Sequence, residues 1–177
     1  MVRAATPAIA ALVAAGIDHE VLRYRHDPRR ESFGEEAVEE LARERGVEPA
    51  QVFKTLVIAL SDGRVGVAVL PVPAKLSLKA AAAALGVGKA TMADRAAAER
   101  STGYVLGGIS PLGQRKSSPT VVDASALQWD RVLCSAGKRG WDVALHPRDL
   151  VRLTHAVTAD IRAYPPRYQV PVRDRPV

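Results

Sequence analysis

Apolar and polar positions recur along this chain with two different periods, and each change of period marks an element. Thr6-Pro7 places a hydroxyl residue at a cap and proline at the first helical position. A helix carrying Ile9, Leu12 and Val13 follows and stops at Gly16. Residues 19–24 alternate with period two and predict a strand. Asp27-Pro28-Arg29-Arg30 reads as a loop. Ser32, with Glu35 three residues on, matches a capping box for a helix that runs through Val38 and Leu41 to Gly46.

Residues 49–53 predict one helical turn, and 55–60 form a near-continuous apolar run. Asp62-Gly63 separates that run from a second β-rich stretch, 65–72, which is a hairpin signature. Because 55–60 is apolar on both faces, it is expected to lie centrally in a sheet, covered on both sides. Ser77 caps a predicted helix over 78–85 that closes at Gly86, and 93–100 predicts a short alanine-rich helix. Further strands are expected at 120–123, 131–135 and 141–145, the last two joined by 136–140, with a final helix over 147–155. Helices and strands mix without strict βαβ alternation, which predicts an α+β domain with a mixed or antiparallel sheet. The domain is expected to span residues 1–160. Residues 161–177 contain Pro165, Pro166, Pro171 and Pro176 and little periodicity, and are expected to be a flexible tail.

Composition narrows the classes. With 177 residues a chain can bury roughly 70% of its unfolded surface, enough for a core without staples. Aromatics are only 5%, so that core must rest on Ala, Val and Leu. The net charge of +6 favours an anionic partner. Half of that excess sits in the tail, where Arg162, Arg167, Arg173 and Arg175 face only Asp174, so the body is mildly basic. The single cysteine, Cys134, allows no intramolecular disulfide and no cysteine-based zinc site. No run of about 18 apolar residues occurs, and the stretch 7–16 is short and lacks a signal-cleavage pattern. A cytoplasmic protein is the expectation.

Candidate chemistry is sparse. Lys54 stands at the mouth of the apolar run 55–60, where an ammonium could attract an ester carbonyl or the anion formed on attack, or could simply be a solvated strand end. Gly107-Gly108-Ile109-Ser110-Pro111-Leu112-Gly113 could bring backbone N–H groups against a ligand or form a structural turn. It matches neither a P-loop nor a Gly-x-Ser-x-Gly elbow. His19, His26, His146 and His155 are scattered without metal-ligand spacing. Cys134 lies in an apolar strand and reads as a buried, inert thiol. The basic pairs Arg115-Lys116 and Lys138-Arg139 are candidates for contact with an RNA backbone.

Three motifs, in order, resemble the YbaK family. They are Phe53-Lys54-Thr55-Leu56; Arg100-Ser101-Thr102-Gly103-Tyr104 running into Gly107–Gln114; and Ser135-Ala136-Gly137-Lys138-Arg139-Gly140. Thr6-Pro7-Ala8 and the segment from Tyr24 to Gly34 match as well, so the resemblance covers roughly residues 6–160. The family includes Cys-tRNA(Pro) deacylases and is related to the editing domain of bacterial prolyl-tRNA synthetases. The resemblance implies a mixed, barrel-like sheet flanked by helices. It also implies a trans-editing reaction without cofactor or metal, in which the thiol of a misattached cysteine cleaves its own ester. Lys54 matches the family lysine. Tyr24, Phe33, Thr55, Gly107, Gly108, Ile109, Ser110, Ser135 and Asp142 match pocket positions. The implied partners are mischarged tRNA(Pro) and prolyl-tRNA synthetase. Ala136 departs from the glycine expected in the family's pocket loop. A deacylase for another small amino acid, such as alanine, and a non-catalytic tRNA- or synthetase-binding module are the alternatives.

Overall fold

The computed structural model describes residues 4–164. Two sheets share the work of covering one strand. The smaller is antiparallel, with β1 (His19–Arg23), β7 (Trp141–Leu145) and β6 (Val132–Lys138) in that order. The larger is mixed, in the order β4 (Ala90–Met92), β2 (Phe53–Leu60), β3 (Val65–Pro71), β5 (Thr120–Asp123) and β8 (Val157–Ala159). β2 pairs antiparallel with both neighbours, whereas β3–β5 and β5–β8 are parallel. The helices are α1 (Pro7–Ala14), α2 (Phe33–Arg45), α3 (Leu78–Ala84), α4 (Arg95–Thr102) and α5 (Pro147–Thr154). The α+β class is as expected, but the two sheets do not close into a barrel. Among the described residues, no helix is long and apolar enough to cross a membrane.

The apolar run in β2 explains the layering. Phe53 and Val57 enter one core cluster, with Leu12 of α1, Cys134 of β6 and Leu150 of α5. Ile58 and Leu60 enter another, with Ala81 and Ala82 of α3. A third cluster packs Ala37 and Leu41 of α2 on Leu22, Leu133 and Ala144 of the small sheet. Small and aliphatic residues fill all three, as the shortage of aromatics requires. Among the described residues, one isolated backbone bridge, between Val52 and Leu133 just before β2 begins, joins the small sheet to the chain entering the large one.

Local chemistry sets most boundaries. The Thr6 hydroxyl accepts from the Ile9 N–H at 3.1 Å and donates to the Ala136 carbonyl at 2.6 Å, capping α1 and tying it to β6. The capping box at Ser32 does not form, since its side chain makes no cap hydrogen bond. Glu36, buried one turn later, instead accepts from the Asp27 N–H and from His26 Nδ1, both at 2.7 Å, and holds the preceding loop. β6 runs beyond the expected 131–135, with a register shift between Ser135 and Lys138. Gly137 permits that irregularity at φ +96°, with the Tyr104 ring where a Cβ would lie. β4 and β8 have three residues each, too few to show a period.

The chain beyond residue 160 is part of the core at first. Ile161 is fully buried in the α3 cluster. Its N–H donates to the buried Asp123 carboxylate at 2.9 Å, and its carbonyl accepts from Ser77 at 2.7 Å. Arg162 forms a bridge to Leu76. The expected boundary at 160 therefore falls inside packed structure, and the rest of the expected tail, 165–177, lies outside the described residues. Ile161→Ala should cost about 2–5 kcal/mol, read as a lower urea midpoint at unchanged m-value. A midpoint within error of the parent would show that this segment is not part of the folding unit.

Candidate active site

At the seam between the sheets, the cover over β2 is incomplete and leaves a cavity of about 220 Å³. That is the size of an amino-acid side chain with its backbone, not of a nucleotide. β2 contributes Phe53, Lys54, Thr55 and Leu56; α2 contributes Phe33, Gly34 and Ala37. The small sheet adds Ser135 from β6 and Asp142 from β7, a cross-strand pair in register. Tyr24, just past β1, and the segment Leu106, Gly107 and Ile109 complete it with Val52 and Val72.

Lys54 is half-buried, and its ammonium donates to the carbonyls of Val72 at 3.2 Å and Ala74 at 2.6 Å. Three donors on a lysine leave one for a ligand. Burial lowers its pKa below the ordinary lysine value, and the charge of Glu35 opposes part of that shift. Beside it, Thr55 Oγ1 is the one shielded side-chain oxygen or nitrogen among the described residues with no hydrogen-bond partner. Such orphans are uncommon in native proteins and call for an explanation.

Asp142 is buried, and that burial alone raises its carboxyl to about 7. Tyr24 is raised above the ordinary phenol value by burial first and by the Asp142 charge second. Ser135 Oγ accepts from the Gly137 N–H at 3.1 Å. No histidine lines the cavity. Cys134, the neighbour of Ser135, faces the core with its thiol pushed up by burial. Neither the Thr55 nor the Ser135 hydroxyl is hydrogen-bonded to a side-chain base among the described residues. Among the described residues, no group of three His, Cys, Asp or Glu could hold a metal ion.

Eight of the ten expected pocket residues meet here: Tyr24, Phe33, Lys54, Thr55, Gly107, Ile109, Ser135 and Asp142. Gly108 and Ser110 do not line the cavity. Gly108 is buried against the backbone of Lys138 and Arg139, while Ser110 Oγ accepts from the Leu112 N–H at 3.2 Å and shapes a turn. Ala136 lies fully buried in the core cluster on the other face of β6, so its departure from glycine does not alter the lining. Gly107 is needed twice over. It has φ +87°, and a Cβ there would fall 2.7 Å from the Phe33 ring. Of the basic candidates, Arg139 reaches the rim at Phe33 and Leu106. Lys138 lies over Trp141 at 4.9 Å. Arg115 and Lys116 are exposed and line no part of the cavity. Leu106, Val72 and the carbonyls that hold Lys54 had no signal in the sequence, because apolar lining looks like core and a carbonyl belongs to every residue.

The profile of the aminoacyl-tRNA editing domain matches residues 34–153. A protein of Enterococcus faecalis, EbsC, provisionally named a Cys-tRNA(Pro)/Cys-tRNA(Cys) deacylase, is 38% identical over 125 residues, or 71% of this chain and 76% of its own length. The crystal structure of a protein put forward as a trans-editing enzyme for prolyl-tRNA synthetase has a TM-score of 0.77 at 24% identity, over 93% of this chain and 99% of that one. The hypothetical protein APE2540 has a TM-score of 0.76 at 25% identity, over 89% of this chain and 99% of its own. These two likenesses establish the fold.

The buried carboxyl makes stability depend on pH in a definite direction. Its folded pKa of about 7 lies above the ordinary 3.8. The stability that Asp142 contributes is thus fully present below about 4 and is lost as pH rises through about 7. Asp142→Asn removes this titration. The unfolding free energy of the parent should fall behind that of the variant by on the order of 2–4 kcal/mol between pH 4 and 8, measured by urea denaturation at a series of pH values. Parallel curves would place the carboxyl in contact with solvent.

Proposed function

The chain belongs to the aminoacyl-tRNA editing domain family, and on that footing we propose that it deacylates mischarged Cys-tRNA(Pro) in trans. One observation carries the reading. The cavity is of amino-acid size and offers an ammonium, an orphan hydroxyl and a buried carboxyl, but no hydroxyl hydrogen-bonded to a side-chain base. An aminoacyl ester supplies the complementary groups: a carbonyl oxygen for Lys54, a free α-ammonium for Asp142, and a side chain for the apolar walls.

The nucleophile is then the substrate's own thiol. The cysteine sulfur attacks the ester carbonyl carbon, and the bond from that carbon to the tRNA 3′-oxygen breaks. The thiol proton passes to the departing 3′-oxygen, and the cyclic thiolactone is later opened by water to free cysteine. The protein contributes proximity, by holding sulfur and carbonyl together. It also contributes charge stabilisation, through the Lys54 ammonium and the backbone at Gly107 and Ile109, which line the cavity.

A basic groove is the proposed seat of the tRNA body. Arg100 and Lys116 line it with Ser117 and Ser118, which suits a phosphate backbone, and Arg64 at the same groove is paired with Asp62 at 2.7 Å. Arg115 beside it and Lys138 over Trp141 are further candidate contacts. A body of modest charge fits a protein that borrows tRNA(Pro) selectivity from prolyl-tRNA synthetase.

Purified protein should release cysteine from Cys-tRNA(Pro). Lys54→Ala should lower the rate about 100-fold or more while leaving the circular dichroism spectrum unchanged. Ala-tRNA(Pro), which has no thiol, should survive. Alanine released faster than cysteine would replace the thiol route by water attack, and binding without ester loss would make the domain a tRNA-binding module.

A further inference from the structure

The segment 105–108 brings the backbone groups of Gly107 to the cavity, yet side-chain packing does little to hold it. Val105 is 55% and Leu106 40% exposed, and two glycines follow. Such a stretch has high chain entropy. A turn closes inside it, from the Gly108 N–H to the Val105 carbonyl at 2.9 Å, and the two peptide groups that flank Leu106 are tied to charged side chains from different elements. The Leu106 N–H donates to Glu99 Oε1 of α4 at 3.0 Å. Its carbonyl accepts from Arg139 Nε at 2.9 Å and Nη2 at 2.7 Å, at the β6–β7 turn. The same guanidinium lies 4.8 Å over the Phe33 ring, against which bare Gly107 packs. Arg95 in turn steadies Glu99 at 3.1 Å. Both tethers are charge-assisted, the stronger class of hydrogen bond.

We infer that Glu99 and Arg139 are positioning residues for the carbonyl-binding segment, acting through the peptide groups that flank Leu106 rather than by touching RNA phosphate. Arg139 is basic and half-buried at the rim, where a phosphate contact would be expected from its charge, but two of its donors are committed to the protein's own backbone. Its planar fork gives both bonds to one oxygen, which a lysine cannot do. Loss of either tether frees the segment before the reaction, so the rate of the chemical step falls while tRNA affinity stays.

The inference rests on the deacylase reading for its kinetic arm only. Arg139→Ala, Arg139→Lys, Glu99→Ala and Glu99→Gln are compared by amide hydrogen exchange and by deacylation kinetics. Both alanine variants should speed exchange across 105–108 about 10-fold or more, as expected for a lost charge-assisted bond. They should lower kcat by a similar factor, with KM for Cys-tRNA(Pro) within about 2-fold and the salt dependence unchanged. Glu99→Gln keeps an acceptor for the Leu106 N–H and should recover most of the loss, whereas Arg139→Lys should recover only part. A raised KM with kcat preserved and a shallower salt dependence would make Arg139 a phosphate contact and overturn the inference. Unchanged exchange at 105–108 would overturn it too, and that arm decides even if no deacylation is found.

Discussion

The burial of β2 on both faces is the constraint from which the rest follows. A strand with Phe53 and Val57 on one side and Ile58 and Leu60 on the other must be covered twice. α1, α5 and the small sheet supply one cover, and α3 supplies the other. The cover is incomplete at the start of the strand, where Lys54, Thr55 and Leu56 are only partly buried, close to the Val52–Leu133 bridge. The gap left there is the cavity. Its position is a property of the layering, and side chains at the first residues of β2 must point into it or toward its walls.

Polar groups placed in that gap carry a desolvation cost, and they meet it unequally. Lys54 offsets its cost with two carbonyls. Thr55 offsets none of its own, and Asp142 does so only by holding its proton near neutrality. A protein selected for stability alone would fill these positions with aliphatic residues, as at the other buried positions of β2 and β7. Polar groups that converge from two strands, β2 and β7, suit a ligand with an ammonium, a carbonyl and a small side chain. Perturbed groups in the rest of the chain are of another kind, mostly exposed arginine–carboxylate pairs such as Arg30 with Glu39.

What could be read from the sequence divides along physical lines. The β2–β3 hairpin, the Thr6-Pro7 start of α1 and the Ser77 cap of α3 were legible because periodicity, a turn dipeptide and a hydroxyl act locally. β4 and β8 were not, since a three-residue strand exists only by pairing with a neighbour. Glu35 matched the spacing of a capping box, yet Glu36 became the buried acid, because only the folded loop shows which carboxylate finds His26 and the Asp27 N–H. Lys54 looked by position like any lysine at a strand end. The family resemblance singled it out, and the Val72 and Ala74 carbonyls give it a physical setting. Arg139 shows the converse, because its charge suggests RNA while its donors turn inward to a backbone oxygen.

A reaction whose nucleophile belongs to the substrate also changes how selectivity can arise. A cavity of about 220 Å³ that accepts cysteine cannot strongly refuse proline by size, since small apolar differences are worth only about 1–3 kcal/mol. Chemistry discriminates where volume cannot. Correctly charged proline has no thiol, so it can occupy the site and leave intact, provided the protein offers no nucleophile of its own. Three features keep it from doing so. Cys134 is turned into the core with a raised pKa, Ser135 accepts a backbone hydrogen bond, and no histidine reaches the cavity. On the proposed reaction, an inert but firmly held pocket is itself the fidelity device: the site must fix the carbonyl well and attack nothing. The rigidity of segment 105–108 then matters as much as any side chain that touches the substrate.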